Sequence, residues 1–188
     1  MKLVILDYGV GNIKSIQFAF DRLGVTAVLS SDAEEIKAAD KIIFPGVGEA
    51  SSAMKKLREA GLEDVITKLN QPVLGICLGM QLMCRKLDEG NTNGLGIFDV
   101  AVKRFSTSVK VPQMGWNTIT NLKSKLFKDI SDKEYMYLVH SYYVENKNTL
   151  NPRIESYYTK LIRYKNILTL SKLKKKIKNV IKKSITEN

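Results

Sequence analysis

One cysteine in this chain stands where a nucleophile can act. Cys77 lies between Gly75 and Gly79, directly after an apolar run and directly before a segment with helical potential. A sharp strand-to-helix turn with small residues on both sides of the reactive side chain is a nucleophile elbow, G-x-S-x-G in serine hydrolases and G-x-C-x-G here. At a helix N-terminus the dipole favours the thiolate, so we expect a lowered pKa for the Cys77 thiol. The predicted chemistry is acyl transfer through a thioester.

Backbone N–H groups near Cys77 are candidates for stabilising an oxyanion. The elbow directs the Leu78 N–H toward the reacting centre, and the glycines of the segment 45–48 (PGVG) allow a second peptide N–H to turn toward a substrate. A packing role is the alternative for Cys77, because free cysteine is among the most buried residue types. Cys84, on the helix predicted to follow, is interpreted as a packing residue.

The elements that must position Cys77 follow from the apolar pattern. We predict strands over 2–8, 25–29, 41–44 and 72–76, separated by segments of helical periodicity, and a helix from Leu78 to about Leu87. This alternation indicates a doubly wound, mostly parallel α/β sheet flanked by helices. Sites in such sheets form at the carboxyl ends of strands. The turns at 9–11, 45–48 and Cys77 are therefore expected to converge on one edge.

The second half of the chain has a different pattern. Longer strands with short connections are predicted over 98–105, 109–119 and 135–144. These strands are suited to antiparallel pairing and predict a smaller antiparallel sheet beside the parallel one.

Composition bounds the class of protein. Apolar residues make up 44% and charged residues 26% of the 188 residues, as in ordinary globular domains. Two cysteines without metal-ligand spacing argue against a disulfide scaffold or a zinc site, and no cofactor or metal is expected. The N-terminal apolar run is too short for a signal peptide and no apolar stretch reaches 18 residues, so the expected location is the cytoplasm.

The net charge of +11 is concentrated in one segment. Residues 147–188 contain 12 Lys and Arg against 2 Asp and Glu, whereas residues 1–146 contain 18 against 17. The first 146 residues are therefore nearly neutral, and the basic character belongs to the last 42.

Five short segments carry a resemblance to a known family. In order along the chain they are DYGVGN (7–12), PGVG (45–48), GICLGMQLM (75–83), PQMGWN (112–117) and VHSYY (139–143). They resemble the glutaminase subunits of imidazole glycerol phosphate synthase, a branch of the class I glutamine amidotransferases. The cysteine elbow alone indicates only the amidotransferase class, and the MGWN and VHSYY segments select the histidine-biosynthesis branch. The resemblance spans residues 1–146.

The resemblance implies a role for each matching residue. It implies that Cys77 attacks the side-chain amide of glutamine and that the ammonia passes through a channel to a cyclase subunit, a (β/α)₈ barrel. Further positions take the following implied roles: Val47 and Leu78 as oxyanion-hole backbone; Gly46, Gly48, Gln81, His140, Ser141 and Tyr142 as substrate contacts; Asn12 and Trp116 at the cyclase interface. Two of these have simpler alternatives, a solvated side chain for Gln81 and a core aromatic for Trp116.

The general base of the family is missing from this chain. A cysteine–histidine mechanism needs an imidazole beside the thiol and a group to orient it. The family supplies both from a late Gly-x-Gln-Phe-His-Pro-Glu segment, which does not occur in these 188 residues. His140 is the only histidine, and in the family the VHSYY segment precedes the catalytic histidine. A structural or substrate-contact role is therefore expected for His140, and impaired hydrolysis for the chain.

Residues 147–188 offer an explanation for the missing base. They contain no Gly, Ala or Asp, and 29 of the 42 are Lys, Ile, Asn, Leu or Tyr. A folded α/β domain needs glycine turns to complete its last elements. We hypothesise that an amidotransferase domain over 1–146 is incomplete, and that frameshifted translation near Asn146 to Asn151 produced the atypical segment 147–188, which would then be poorly ordered.

Three alternatives remain open at the level of sequence. The last segment has apolar residues on one helical face from Leu170 to Ile185 and lysines around it, a basic amphipathic helix suited to an anionic membrane or nucleic acid. The chain could instead be a paralogue that supplies ammonia for surface-sugar amidination. It could also be an inactive subunit that still docks on the cyclase.

Overall fold

A computed structural model describes residues 1–119, 127 and 130–145. The predictions for 147–188, whether a disordered segment or a basic helix, lie outside these residues. The chain divides into two compact units, Met1–Ala101 and a second that begins at Val102. In the described part, no helix is long and apolar enough to cross a bilayer.

The first unit alternates strands and helices. Its elements are β1 (Leu3–Leu6), α1 (Ile13–Asp21), β2 (Ala27–Ser30), α2 (Ala33–Lys37), β3 (Lys41–Phe44), α3 (Ala50–Glu59), α4 (Glu63–Thr67), β4 (Val73–Gly75), α5 (Leu78–Leu82), β5 (Cys84–Leu87), a 3₁₀ turn (Glu89–Asn91), β6 (Thr92–Asn93) and the start of β7 (Phe98–Arg104). The helix α4 falls in a region where the sequence pattern gave no prediction.

A parallel sheet forms the core of the first unit. Its strand order is β2-β1-β3-β4, and all three neighbouring pairs are parallel. The strands β1 and β3 are central, and all four residues of β1 are almost fully buried. The predicted parallel α/β sheet is therefore confirmed, with each strand within two residues of its expected start and end. The carboxyl ends of β1, β3 and β4 lie at one edge of this sheet.

The predicted helix from Leu78 to Leu87 is wrong in its second half. The helix α5 ends at Leu82, and residues 84–87 form β5, which pairs antiparallel with β6. The close approach of Gly94 to the carbonyl groups of Leu82 and Cys84 accounts for the change. A methyl group on Gly94 would lie 2.7 Å from the Leu82 carbonyl oxygen, so only glycine lets this part of the chain approach closely enough for Leu95 N–H to bond that oxygen. Cys84 is buried as predicted, but on a strand.

The second unit contains antiparallel pairs. The strands β8 (Gln113–Thr118) and β9 (Tyr135–His140) form a two-stranded sheet with Trp116 opposite Tyr137, and β10 (Tyr142–Val144) pairs with the end of β7. The predicted smaller antiparallel sheet is confirmed. The predicted strand over 135–144 is interrupted at Ser141.

Two leucines on neighbouring strands test where the core of the first unit lies. Leu6 on β1 is fully buried, whereas Leu29 on the edge strand β2 is 37% exposed. We expect Leu6→Ala to lower the free energy of unfolding by about 2–5 kcal/mol, because a buried leucine loses both burial and packing. Leu29→Ala is the matched control and is expected to cost less than half as much. Urea denaturation measures both, and equal losses would contradict this assignment of the core.

Candidate active site

The backbone turns sharply at Cys77, between β4 and α5. Cys77 has φ 57° and ψ −119°, a conformation that costs a non-glycine residue of order 1–3 kcal/mol. The Ile76 N–H donates to the Phe44 carbonyl at 2.9 Å, and the Gln81 N–H donates to the Cys77 carbonyl at 3.2 Å. The strand end is thus held to β3 while the helix begins at the next residue. The elbow expected from G-x-C-x-G is present.

The glycines of this motif permit backbone contacts that a side chain would block. A methyl group on Gly79 would overlap the Phe44 carbonyl oxygen and lie 2.8 Å from that of Pro45. A methyl group on Gly75 would lie 2.6 Å from the Met80 Cα. Glycine is therefore required at both positions. Gly79 allows α5 to approach the end of β3, and Gly75 allows the close contact within the elbow.

The turn after β3 packs directly on the elbow. Gly46 is buried, and a methyl group there would overlap the Gly79 nitrogen and lie 2.8 Å from the Leu78 carbonyl carbon. Val47 is 47% exposed, and Gly48 has φ 85° with open space at its Cβ position. The structure therefore places Gly46 against Leu78 and Gly79 of the elbow, whereas Val47 and Gly48 are exposed.

The pKa of the Cys77 thiol is shifted in the direction opposite to the one expected from the sequence. Burial raises this pKa to about 11. The Leu78 N–H, which donates to the sulfur, lowers the pKa, and the Glu89 carboxylate raises it. The expectation of a lowered pKa rested on the dipole of a helix from 78 to 87. Since α5 has only five residues, its dipole is small and desolvation dominates.

Glu89 is a site residue that the sequence pattern did not reveal. This half-buried carboxylate lies on the 3₁₀ turn and is close enough to Cys77 to affect the thiol pKa. Its Oε2 atom accepts a hydrogen bond from the Ala50 N–H at 3.1 Å. Burial raises the pKa of Glu89, the Ala50 bond lowers it, and the neighbouring Glu49 carboxylate raises it. The sequence pattern did not reveal Glu89 because a helix that continued to Leu87 would lead the chain away from Cys77.

Two other predicted residues of the first unit have definite environments. Gln81, one turn after Cys77 on α5, is 7% exposed, so the alternative of a solvated side chain is wrong. Asn12 is exposed and forms the N-cap of α1, where its Oδ1 accepts from the Ser15 N–H at 3.4 Å. Capping thus accounts for Asn12 independently of any partner.

The remaining predicted residues belong to the second unit. His140 is 5% exposed at the end of β9, Ser141 lies between β9 and β10, and Tyr142 begins β10. Trp116 on β8 is 52% exposed and meets the Tyr137 ring edge-on at 5.6 Å between centroids. The alternative of a core aromatic is therefore wrong for Trp116.

Both ring nitrogens of His140 are engaged. Nδ1 lies 2.9 Å from the Tyr142 carbonyl oxygen, and Nε2 lies 3.1 Å from the Gln113 side-chain amide. A carbonyl oxygen only accepts, so Nδ1 carries a proton and donates it to Tyr142, while the atom that faces Nε2 is Oε1 of Gln113. The Phe105 ring packs on the imidazole at 4.8 Å. These contacts describe a structural histidine that joins three strands.

A family model places the chain among enzymes of one class. The model described as "Glutamine amidotransferase class-I" matches residues 4–176. The imidazole glycerol phosphate synthase subunit HisH of Bacteroides fragilis is 58% identical over 147 residues, which cover 77% of this chain and 75% of the relative. The subunits of the same name from Bacteroides thetaiotaomicron and Oceanobacillus iheyensis are 53% identical over 147 residues and 47% identical over 155, with similar coverage.

Solved structures share the fold at low sequence identity. A crystal structure of a glutamine amidotransferase superposes with a TM-score of 0.57 at 20% identity, covering 79% of this chain and 75% of the other. A glutamine amidotransferase from Thermotoga maritima gives 0.56 at 15% identity, covering 100% and 99%. At these identities the structures support the fold assignment alone.

The raised thiol pKa predicts how Cys77 reacts with iodoacetamide. Only the thiolate is alkylated, so with a pKa near 11 the rate should rise about tenfold per pH unit from pH 7 to 10, without the plateau that an ordinary thiol shows near pH 9. Peptide mass mapping separates Cys77 from the buried Cys84.

Glu89 should contribute to that profile. Glu89→Gln removes a charge that raises the thiol pKa, so we expect its alkylation curve to move to lower pH. Glu59→Gln, an exposed carboxylate on α3, is the matched control and should leave the curve in place. A wild-type plateau below pH 9, or equal curves for the two variants, would contradict the site geometry.

Proposed function

The chain belongs to the class I glutamine amidotransferase family, and we propose that it is the glutaminase subunit of an imidazole glycerol phosphate synthase. In this role it hydrolyses glutamine to glutamate and ammonia in the cytoplasm. The ammonia passes to a cyclase subunit of the (β/α)₈-barrel type for the formation of imidazole glycerol phosphate in histidine biosynthesis. The strained elbow at Cys77, with the glycine turn 45–48 packed against it, supports the amidotransferase chemistry. The observation that carries the assignment to this synthase is the 58% identity to a HisH subunit over 147 residues.

The elbow supports attack on an amide carbonyl. The Cys77 sulfur adds to the carbonyl carbon of the glutamine side chain, and the carbonyl oxygen becomes an oxyanion. The Leu78 N–H, which faces the sulfur in the free chain, is one donor to that oxygen, and an N–H of the turn 45–48 is the other. Departure of ammonia leaves a γ-glutamyl thioester on Cys77, which water hydrolyses.

The Glu89 carboxylate favours the binding of a substrate that carries a positive charge. A half-buried carboxylate beside the nucleophile suits the α-ammonium group of glutamine, since both charges are then paired in a partly desolvated site. The buried Gln81 amide, one turn from Cys77, is a further polar contact for the same end of the substrate. The resemblance further implies that the segment His140 to Tyr142 helps to bind the α-carboxylate of glutamine. It also implies that Asn12 and Trp116 face the cyclase.

Catalysis by this chain is limited by the lack of a general acid–base group for Cys77. Ammonia is a poor leaving group unless a general acid protonates it, and a positioned acid–base group contributes roughly 10²–10⁴-fold. His140 is the only histidine of the chain, and its ring nitrogens are engaged by Tyr142 and Gln113. With a thiol pKa near 11, thiolate is also scarce at neutral pH. We therefore propose that the chain hydrolyses glutamine slowly or not at all.

The lack of a histidine available to Cys77 also supports the alternative of a non-catalytic subunit. If the elbow binds glutamine but cannot turn it over, the chain still presents the exposed Trp116 for docking on the cyclase. Co-purification with the cyclase without glutaminase activity identifies this case. The paralogue for surface-sugar amidination differs in its partner alone, so identifying the co-purified protein separates the two.

Glutamate release tests the proposal directly. We expect the wild-type chain with its cyclase to release glutamate from glutamine at least 100-fold more slowly than an amidotransferase that retains the His-Pro-Glu segment. Cys77→Ala should remove whatever activity is present, whereas Cys84→Ser, the control for loss of a thiol, should not, provided that it folds. Rapid release by the wild-type chain that is lost on His140→Ala would contradict the missing base and make His140 catalytic.

A further inference from the structure

The phenol of Tyr8 reaches the turn that carries the candidate oxyanion hole. Tyr8 follows β1 and is 4% exposed. Its hydroxyl donates to the Pro45 carbonyl oxygen at 2.7 Å, and its ring meets the Phe44 ring edge-on at 5.5 Å between centroids. The contact joins the carboxyl end of β1 to that of β3, 37 residues later in the chain.

The bonded carbonyl lies at the start of the turn. The C=O of Pro45 and the N–H of Gly46 belong to one planar peptide, so fixing the carbonyl also fixes the direction of that N–H. The Pro45 ring is confined by Gly11, where an added methyl group would lie 2.9 Å from its Cβ. From Val47 onward the turn is exposed, and Gly48 has open space around it. The Tyr8 bond therefore holds the buried end of a turn whose outer end is less constrained.

The segment that holds Tyr8 is itself tied down. The Gly9 carbonyl accepts from the Lys56 ammonium on α3 at 3.2 Å, and the Gly9 N–H donates to the Asp7 carboxylate at 3.2 Å. Tyr8 is thus presented by a braced turn. Such bracing is what a group needs in order to orient another residue without moving itself.

The phenol also lies close to the nucleophile while remaining neutral. Burial raises the pKa of Tyr8 well above its ordinary value, and the Cys77 thiolate raises it further. The phenol proton therefore stays in the bond to the Pro45 carbonyl. The hydroxyl is thereby engaged in orienting the Pro45 carbonyl.

We propose that Tyr8 is a positioning residue for the oxyanion hole: its hydrogen bond to the Pro45 carbonyl fixes the peptide from which the turn 45–48 extends toward the carbonyl that Cys77 attacks. The proposal rests on the proposed acyl transfer at Cys77. In this role Tyr8 acts through Pro45, to which its hydroxyl is bonded.

An activated ester isolates this role from the missing base. In a γ-glutamyl p-nitrophenyl ester the Cys77 sulfur forms a bond to the carbonyl carbon, an oxyanion develops, and p-nitrophenolate leaves with the electron pair of the broken C–O bond without protonation. Iodoacetamide alkylates the same sulfur by displacing iodide, without an oxyanion. A defect in the oxyanion hole therefore slows the first reaction and spares the second.

The comparison uses Tyr8→Phe, which keeps the ring and removes the hydroxyl. We expect the burst of p-nitrophenolate to slow about fivefold, the factor that corresponds to one lost neutral hydrogen bond, while alkylation of Cys77 stays within twofold of wild type. Tyr135→Phe, at an exposed tyrosine on β9, is the matched control and should match wild type in both reactions. Thermal unfolding of each variant shows that it is folded.

Each contrary outcome has a separate meaning. A burst of normal rate in Tyr8→Phe, or equal slowing of both reactions, would overturn the positioning role while leaving the proposed function in place. Absence of any burst that depends on Cys77 in the wild-type chain would overturn the proposed acyl transfer and this inference with it.

Discussion

The active-site edge of this protein depends on one backbone contact, the approach of Gly79 to the carbonyl groups of Phe44 and Pro45. No Cβ fits at that point, because a methyl group would overlap the Phe44 oxygen. The contact presses the first turn of α5 against the end of β3, so that Cys77, Leu78 and Gly46 meet. Strain at Cys77, with its φ of 57°, is tolerated because this packing leaves the backbone no other path.

Electrostatics at the elbow oppose the nucleophile in the free chain. A helix of five residues provides little dipole, whereas burial and the Glu89 carboxylate both favour the neutral thiol. In the proposed function, the α-ammonium group of a bound glutamine would neutralise Glu89 and so change that balance. We therefore propose that substrate binding and thiolate formation are coupled in this site.

Local patterns in the sequence were sufficient for the elbow and the parallel sheet. The short apolar runs and the glycines around Cys77 each have one dominant structural solution, so β1 to β4 and the turns between them were predictable. The segment after Leu82 was not, because Cys84 and Leu87 fit both a helical face and a strand. Pairing of β5 with β6 and the close approach at Gly94 decide between them, and both depend on contacts that the apolar pattern of residues 78–87 does not contain. The same error concealed Glu89, whereas the direction of the thiol pKa depends chiefly on burial, which the local pattern does not give.

We propose that Cys77 keeps its elbow and its oxyanion donors but has no base beside it. Chemical rescue tests it most directly: the rate of glutamate release from glutamine is measured against the concentration of added imidazole, for the wild-type chain and for Cys77→Ala. We expect a low rate that increases with imidazole only when Cys77 is present. A high rate without imidazole, or a rate that imidazole leaves unchanged, would contradict it.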